Sequence, residues 1–152
     1  MRFFVTGATG FIGMELVKSL LKDDFEVNIL VRSPQKAEIP ASPKLKVFTG
    51  SITDFDAVER AMTGCTHVFH LAAYANSGAV DPEIFREVNV EGTRTILDAA
   101  LKLDIKRVVY TSSAGTLATT THDTDVTEES ARPVTYDTEY SITKKAAEGL
   151  CR

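Results

Sequence analysis

Short unbroken apolar runs alternate along this chain with longer segments whose apolar residues recur at helical spacing. The short runs have the length of buried strands, and the longer ones have the period of helices that pack by one face. RFFVT at 2–6 reads as a first strand, VNILV at 27–31 as a second, LKVFTG at 45–50 as a third, THVFHLAA at 66–73 as a fourth and KRVVYTSS at 106–113 as a fifth. Between the first two, GFIGMELVKSLLKD sets Phe11, Ile12, Met14, Leu16, Val17, Leu20 and Leu21 on a buried helical face. DAVERAM forms the next helix, with Asp54 or Asp56 to cap it and Gly64 to stop it. The longest helix is expected over 82–103, with Pro82 in its first turn and Ile84, Val88, Ile96, Leu97 and Leu101 on a helical period. A last helix opens at EYSITKKAAEGL, and the Thr-rich, acidic stretch 114–138, with its ATTTHDTD patch at 118–125, reads as a functional loop.

Unbroken rather than alternating apolar runs point to strands covered on both faces. With the repeated β-α order, they predict an α/β fold: a doubly wound, Rossmann-type parallel sheet of about five strands in one domain over 1–152. The turn after the first strand reads TGATGFIG, with glycines at 7, 10 and 13 opening a helix. Strand, glycine turn and helix in that order form a dinucleotide-phosphate site. Gly7 makes the tight turn, Gly10 lets the backbone approach a pyrophosphate, and Gly13 lets helix and sheet pack closely. Free N–H groups near Phe11 and Ile12 then meet the phosphates, with the helix dipole behind them. The second strand ends Val31-Arg32-Ser33 without the acid that favours a free ribose hydroxyl. Arg32 can pair with a 2′-phosphate and Ser33 can donate to it, so NADP(H) is the expected cofactor, with NAD(H) as the alternative.

Composition narrows the partners. At 43% hydrophobic, 25% charged and a formal charge of -4, with basic residues scattered, the chain has no electrostatic footprint for nucleic acid or an anionic membrane. A small-molecule substrate is the expected partner. The apolar runs are too short to span a bilayer and the N-terminus begins directly with a strand-like segment, which sets the expectation of a cytoplasmic protein. Cys65 and Cys151 have neither metal-ligand nor disulfide-framework spacing, and no metal is expected.

Tyr140 and Lys144 stand four apart, on one face of the last helix. An ammonium near a phenol favours the phenolate, so Tyr140 could exchange a proton with a carbinol or carbonyl oxygen. A hydroxyl from the end of the fifth strand, Ser113 or Ser112, could hold that oxygen. The glycine loop, HLAA, NVEGT, YTSS and Tyr-x-x-x-Lys follow one another in this order. With that set the chain resembles the extended short-chain dehydrogenase/reductase family, also called the NAD-dependent epimerase/dehydratase family. VYTSSAGTL, LVRSP and NVEGTR bring it nearest to the dihydroflavonol-reductase-like branch.

The resemblance implies an oxidoreductase that reduces a ketone or aldehyde, with a sugar epimerase or dehydratase, or a non-catalytic NAD(P)-binding module, as alternatives. Gly7, Gly10, Phe11, Ile12 and Gly13 would bind the dinucleotide phosphates, Arg32 would take the 2′-phosphate, and Leu71, Ala72 and Ala73 would line the ribose and nicotinamide side. Asn89 would be a structural organiser more than a direct catalyst, counted with the cofactor contacts. Ser113 would be the catalytic serine, Tyr140 the acid/base, and Lys144 both its tuner and a ligand of the nicotinamide ribose. Thr9, Ser33, Ile52 and Thr111 are counted with the cofactor contacts. Ser51 stands where the family has an aspartate for the adenine amine, and a serine can accept that hydrogen bond. Family members run to roughly twice this length. A fragment or truncated relative without the C-terminal substrate domain is therefore expected, self-associating through the sheet edge at the fifth strand or through the last helix.

Overall fold

The computed structural model describes residues 1–36, 38–75, 81–117, 127–129, 136 and 138–152, and the ATTTHDTD patch lies outside them. The strands are β1 (Arg2–Thr6), β2 (Glu26–Val31), β3 (Leu45–Thr49), β4 (His67–His70) and β5 (Arg107–Tyr110). They form one parallel sheet in the order β3-β2-β1-β4-β5, with β5 at an edge as expected. The helices are α1 (Phe11–Lys22), α2 (Phe55–Met62), α3 (Pro82–Phe85), α4 (Gly92–Lys102) and α5 (Glu139–Leu150). The direction of winding reverses between β1 and β4, so the loops leaving those two strands diverge and open a crevice at their C-terminal ends.

Each face of the sheet has its own core. Val17 and Leu20 of α1 pack with Phe3, Val5, Val27 and Ile29. On the other face, Val58, Ala61 and Met62 of α2 and Ile96, Ala99 and Ala100 of α4 enclose Phe4, Leu30 and Val68. Successive strand side chains go to opposite faces, and both faces are covered at the central β1 and β2, which is why these strands read as unbroken apolar runs, while Val47 of β3 and Val109 of β5 stay exposed at the outer strands. Asn28 breaks the run in β2 yet stays satisfied, its Nδ2 donating to the Ala61 carbonyl at 2.7 Å. Of the two acids offered as cap for α2, Asp54 does it, accepting from the Ala57 N–H at 3.1 Å. Gly64 ends that turn at φ +77° and delivers Cys65 into the core.

Two helical faces differ from the sequence expectation. Phe11 and Ile12 are not buried but 92% and 61% exposed. They belong to the first turn of α1, which overhangs the crevice, and the core contact begins only at Gly13 and Val17. The helix expected over 82–103 is interrupted by a wide turn over Arg86–Glu91, where the Gly92 N–H reaches back five residues to the Glu87 carbonyl. Such a π turn carries an extra residue, and it brings both Asn89 and Val90 to the interior. Beyond it, the small Ala99 and Ala100 face the α2 side, while Leu101 is 82% exposed.

Met62, fully buried, and Leu101 test this arrangement against the periodic reading. Met62→Ala should cost about 2–5 kcal/mol of unfolding free energy, and Leu101→Ala less than about 0.5 kcal/mol, both measured by urea denaturation.

Candidate active site

Most of the expected cofactor contacts converge on the crevice. Gly7, Thr9, Gly10, Arg32, Ser51, Ile52, Leu71, Ala72 and Ala73 line a single cleft of about 270 Å³ at the ends of β1 to β4. Its outer end widens into an open hollow bordered by Phe11, Arg32, Ser33 and Glu38. The turn that shapes the cleft leaves no room for side chains. A Cβ on Gly7, whose φ is +70°, would fall 2.6 Å from the Ala72 nitrogen, and one on Gly13 would fall 2.1 Å from the Gly7 carbonyl oxygen. Only glycine lets the start of α1 lie against the strand ends in this way.

The start of α1 presents open donors at the cleft. Gly10, the N-cap of α1, brings no side-chain hydrogen bond, and the first turn holds no acid. The first-turn N–H groups, Phe11 and Ile12 among them, are left for an anion at the positive end of the helix. Ser51, at the position of the family aspartate, pairs its Oγ with Thr53 Oγ1 at 2.8 Å and keeps its place in the lining.

The expected catalytic residues gather at the end of β5 and on α5. Thr138 caps α5 by accepting from the Ser141 N–H at 3.1 Å, and Thr143, Lys144 and Ala147 face inward. Lys144 is 2% exposed. Its Nζ donates to the Thr111 carbonyl at 2.6 Å and lies 4.2 Å from the centre of the Tyr110 ring. Ser113 ends the extended segment after β5, where its Oγ accepts from the Gly115 N–H at 3.2 Å. Ser112, the other hydroxyl considered, instead donates to Glu148 Oε2 at 3.2 Å. Tyr140 lies half-buried one turn before Lys144 on α5. Asn89 joins the two regions: its Oδ1 accepts from the Tyr74 N–H at 2.7 Å, and its Nδ2 donates to the Tyr74 carbonyl at 3.1 Å and to Thr143 Oγ1 at 3.0 Å. The side-chain amide is spent on protein partners.

A family model covers this arrangement from end to end. The model described as the NAD dependent epimerase/dehydratase family matches residues 3–152. The chain belongs to that family. A family relative from Synechocystis sp. that carries the name of a dihydroflavonol 4-reductase is 39% identical over 115 residues, which is 76% of this chain and 33% of its own. A quinoline-oxide ketoreductase of Stigmatella aurantiaca is 34% identical over 150 residues, covering 99% of this chain and 45% of the relative. Among solved structures, the NAD complex of UDP-glucose 4-epimerase from Thermus thermophilus superposes with a TM-score of 0.85 at 29% identity, over 99% of this chain and 50% of that one. The chain thus spans half or less of the length of these family members. Among the described residues, no helix is long and apolar enough to cross a membrane.

Several residues of the site escape the motifs. Tyr74 and Val88 line the cleft beside the expected alanines, and Glu148 ties α5 to both Ser112 and Thr116. The rule that ligands bind at strand ends would have found Tyr74; nothing local marks Glu148 beyond its helical spacing from Lys145 and Arg152.

Two buried bases make stability pH-dependent. Burial, with the Lys144 charge adding to it, pushes the His70 imidazole from its ordinary 6.5 down to about 3. Between those values the unfolded chain binds a proton that the folded chain refuses, so this stability is full above the unfolded value and drains away as pH falls. Burial also holds Lys144 down to about 8 from 10.5, so stability should rise with pH between those values as the folded chain sheds its proton first. Urea midpoints across pH should show both trends. His70→Gln should reduce the acid-side loss, and Lys144→Met should remove the alkaline rise.

Proposed function

We propose that this chain is the cofactor-binding half of an NADP(H)-dependent reductase acting on a ketone or aldehyde, with Ser113, Tyr140 and Lys144 as its catalytic set. The observation that carries the reading is the cleft itself: the open N-terminus of α1 at its centre and Arg32 with Ser33 on its outer rim. First-turn N–H groups of α1 would hold the phosphates, and Arg32 would pair with the 2′-phosphate. Glu38 borders the same hollow and would oppose that phosphate. The dinucleotide would supply the hydride, while the chain supplies position and the proton. The Ser113 hydroxyl would hold the substrate oxygen and Tyr140 would give it a proton as the carbonyl carbon is reduced. Lys144, with a pKa near 8, stays mostly charged at neutral pH and would keep a positive charge one turn from Tyr140. The reductase names among the sequence relatives support reduction as the outcome. The likeness to UDP-glucose 4-epimerase favours a second reading, in which a nucleotide sugar is oxidised only transiently.

Calorimetric titration separates these readings in order. NADPH should bind at least about tenfold tighter than NADH. Arg32→Ala should erase most of that preference, a loss of about 1.5–3 kcal/mol for a charge-assisted contact. Tighter binding of NADH would overturn the choice of NADP(H), and binding of neither would overturn the cleft assignment. In the full-length protein, Tyr140→Phe should lower ketone turnover by about 10²–10⁴-fold. Activity indifferent to that change would place catalysis elsewhere and leave this chain a binding module.

A further inference from the structure

His70 ends β4 between the two regions of the site, 1% exposed, and does not line the cleft. Both ring nitrogens are nonetheless engaged: Nδ1 lies 2.6 Å from Thr6 Oγ1, and Nε2 lies 3.0 Å from Thr93 Oγ1. The next partners along fix where each proton is. Thr93 Oγ1 stands 2.6 Å from the Asn89 carbonyl, which can only accept. Its single proton goes there, so Thr93 accepts from Nε2–H. Nδ1 is then the acceptor and takes the Thr6 proton, while the Thr6 oxygen accepts the Ala72 N–H at 3.2 Å. A directional chain results, from Ala72 N–H through Thr6, His70 and Thr93 to the Asn89 carbonyl.

The two ends of this chain are the two regions of the site. At one end, Ala72 lies against the glycine turn, so close that a Cβ on Gly7 would meet its nitrogen at 2.6 Å. At the other, Asn89 grips both backbone groups of Tyr74 and reaches Thr143 on α5, the neighbour of Lys144. A neutral imidazole can make both connections because one rigid ring carries its donor and its acceptor apart. Asn and Gln carry theirs on a single carbon and reach one partner or the other.

We propose that His70, as the neutral Nε2–H tautomer, is a positioning residue that sets the spacing between the phosphate-holding glycine turn and the α5 helix of Tyr140 and Lys144. Only the affinity arm of the test rests on the dinucleotide reading of the cleft. In ¹⁵N NMR of the histidine-labelled chain at neutral pH, His70 should show a protonated Nε2 and a bare Nδ1. The opposite tautomer or an imidazolium overturns the proposal. Amide exchange should be slow at Ala72 and Tyr74. His70→Asn, whose amide stands near the position of Nδ1, should keep Ala72 protection and cofactor Kd within about threefold but speed exchange at Tyr74. His70→Gln, which stands near Nε2, should do the reverse, keeping Tyr74 protected while cofactor Kd weakens about tenfold. Wild-type Kd and wild-type protection in both variants would overturn the proposal and leave the cleft assignment standing. If the wild-type chain binds neither NADPH nor NADH, the dinucleotide reading fails, and the tautomer and exchange data still decide the relay. If the variants do not fold, the wild-type tautomer and amide protection decide it alone.

Discussion

The close approach of Gly13 to the Gly7 carbonyl is the contact on which the site depends. With a Cβ at Gly13 only 2.1 Å from that oxygen, no other residue lets the first turn of α1 lie so tightly on the end of β1. That tightness has consequences in sequence. The helix starts without a capping side chain, so its N–H groups have no local acceptor. Its first turn overhangs the crevice rather than the core, leaving Phe11 and Ile12 in the open. Gly7 in turn faces the Ala72 backbone, which makes the β1 and β4 loops opposite walls of one narrow cleft. A geometric constraint between two glycines thereby leaves open donors at the positive end of a helix.

The two parts of the site are held by different physics. The glycine turn stands on a continuous apolar core, Phe3, Val5, Val17 and Ile29 among its members, and takes its rigidity from burial. The region of α5 near Asn89 is held mainly by polar contacts: Asn89 to Thr143, Lys144 to the Thr111 carbonyl, Glu148 to Ser112 and Thr116. The neutral bond nets about 0.5–1.5 kcal/mol and those to a charged group about 1.5–3 kcal/mol, while leaving a buried partner unsatisfied costs about 1–3 kcal/mol. The arrangement is therefore specific more than it is strong. Small displacements of α5 are penalised by orphaned groups, and little apolar area is available to compensate.

The strands were legible because a parallel sheet buried on both faces writes itself as unbroken apolar runs, and the glycine turn was legible because its backbone demands exclude other residues. Helical period alone was less informative. It cannot separate a turn that faces the core from one that overhangs a crevice, so Phe11 and Ile12 were assigned to the wrong side. It also assumes one residue count per turn, which the wide turn at Arg86–Glu91 breaks, and it ranks leucine above alanine where close helix packing prefers the smaller residue, as at Leu101 against Ala99 and Ala100. The HLAA string was visible as a motif. What its histidine does was not, because the direction of the hydrogen-bond chain is set by the one group that can only accept, the Asn89 carbonyl, and the hydroxyls that link to it, Thr6 and Thr93, are scattered through the sequence.

Two phenols stand near Lys144, and their environments assign them different work. Tyr110 has its hydroxyl pushed well above the ordinary range, first by burial and then by Cys151, Tyr140 and Glu148. It stays a neutral phenol, donates its hydroxyl to the Lys144 carbonyl at 3.5 Å, and turns the face of its ring to the ammonium, 4.2 Å from Nζ. That contact and the Thr111 carbonyl partly offset the cost of burying the ammonium, without neutralising it as a carboxylate would. The charge is thus kept desolvated and unpaired by any anion among its described contacts. In a poorly screened setting its field falls off less with distance than it would in water. Tyr140 lies half-buried on the preceding turn of the same helix. The division follows from placement: the strand tyrosine packs against the lysine from β5, while the helix tyrosine shares α5 with it and keeps part of its side chain at the surface.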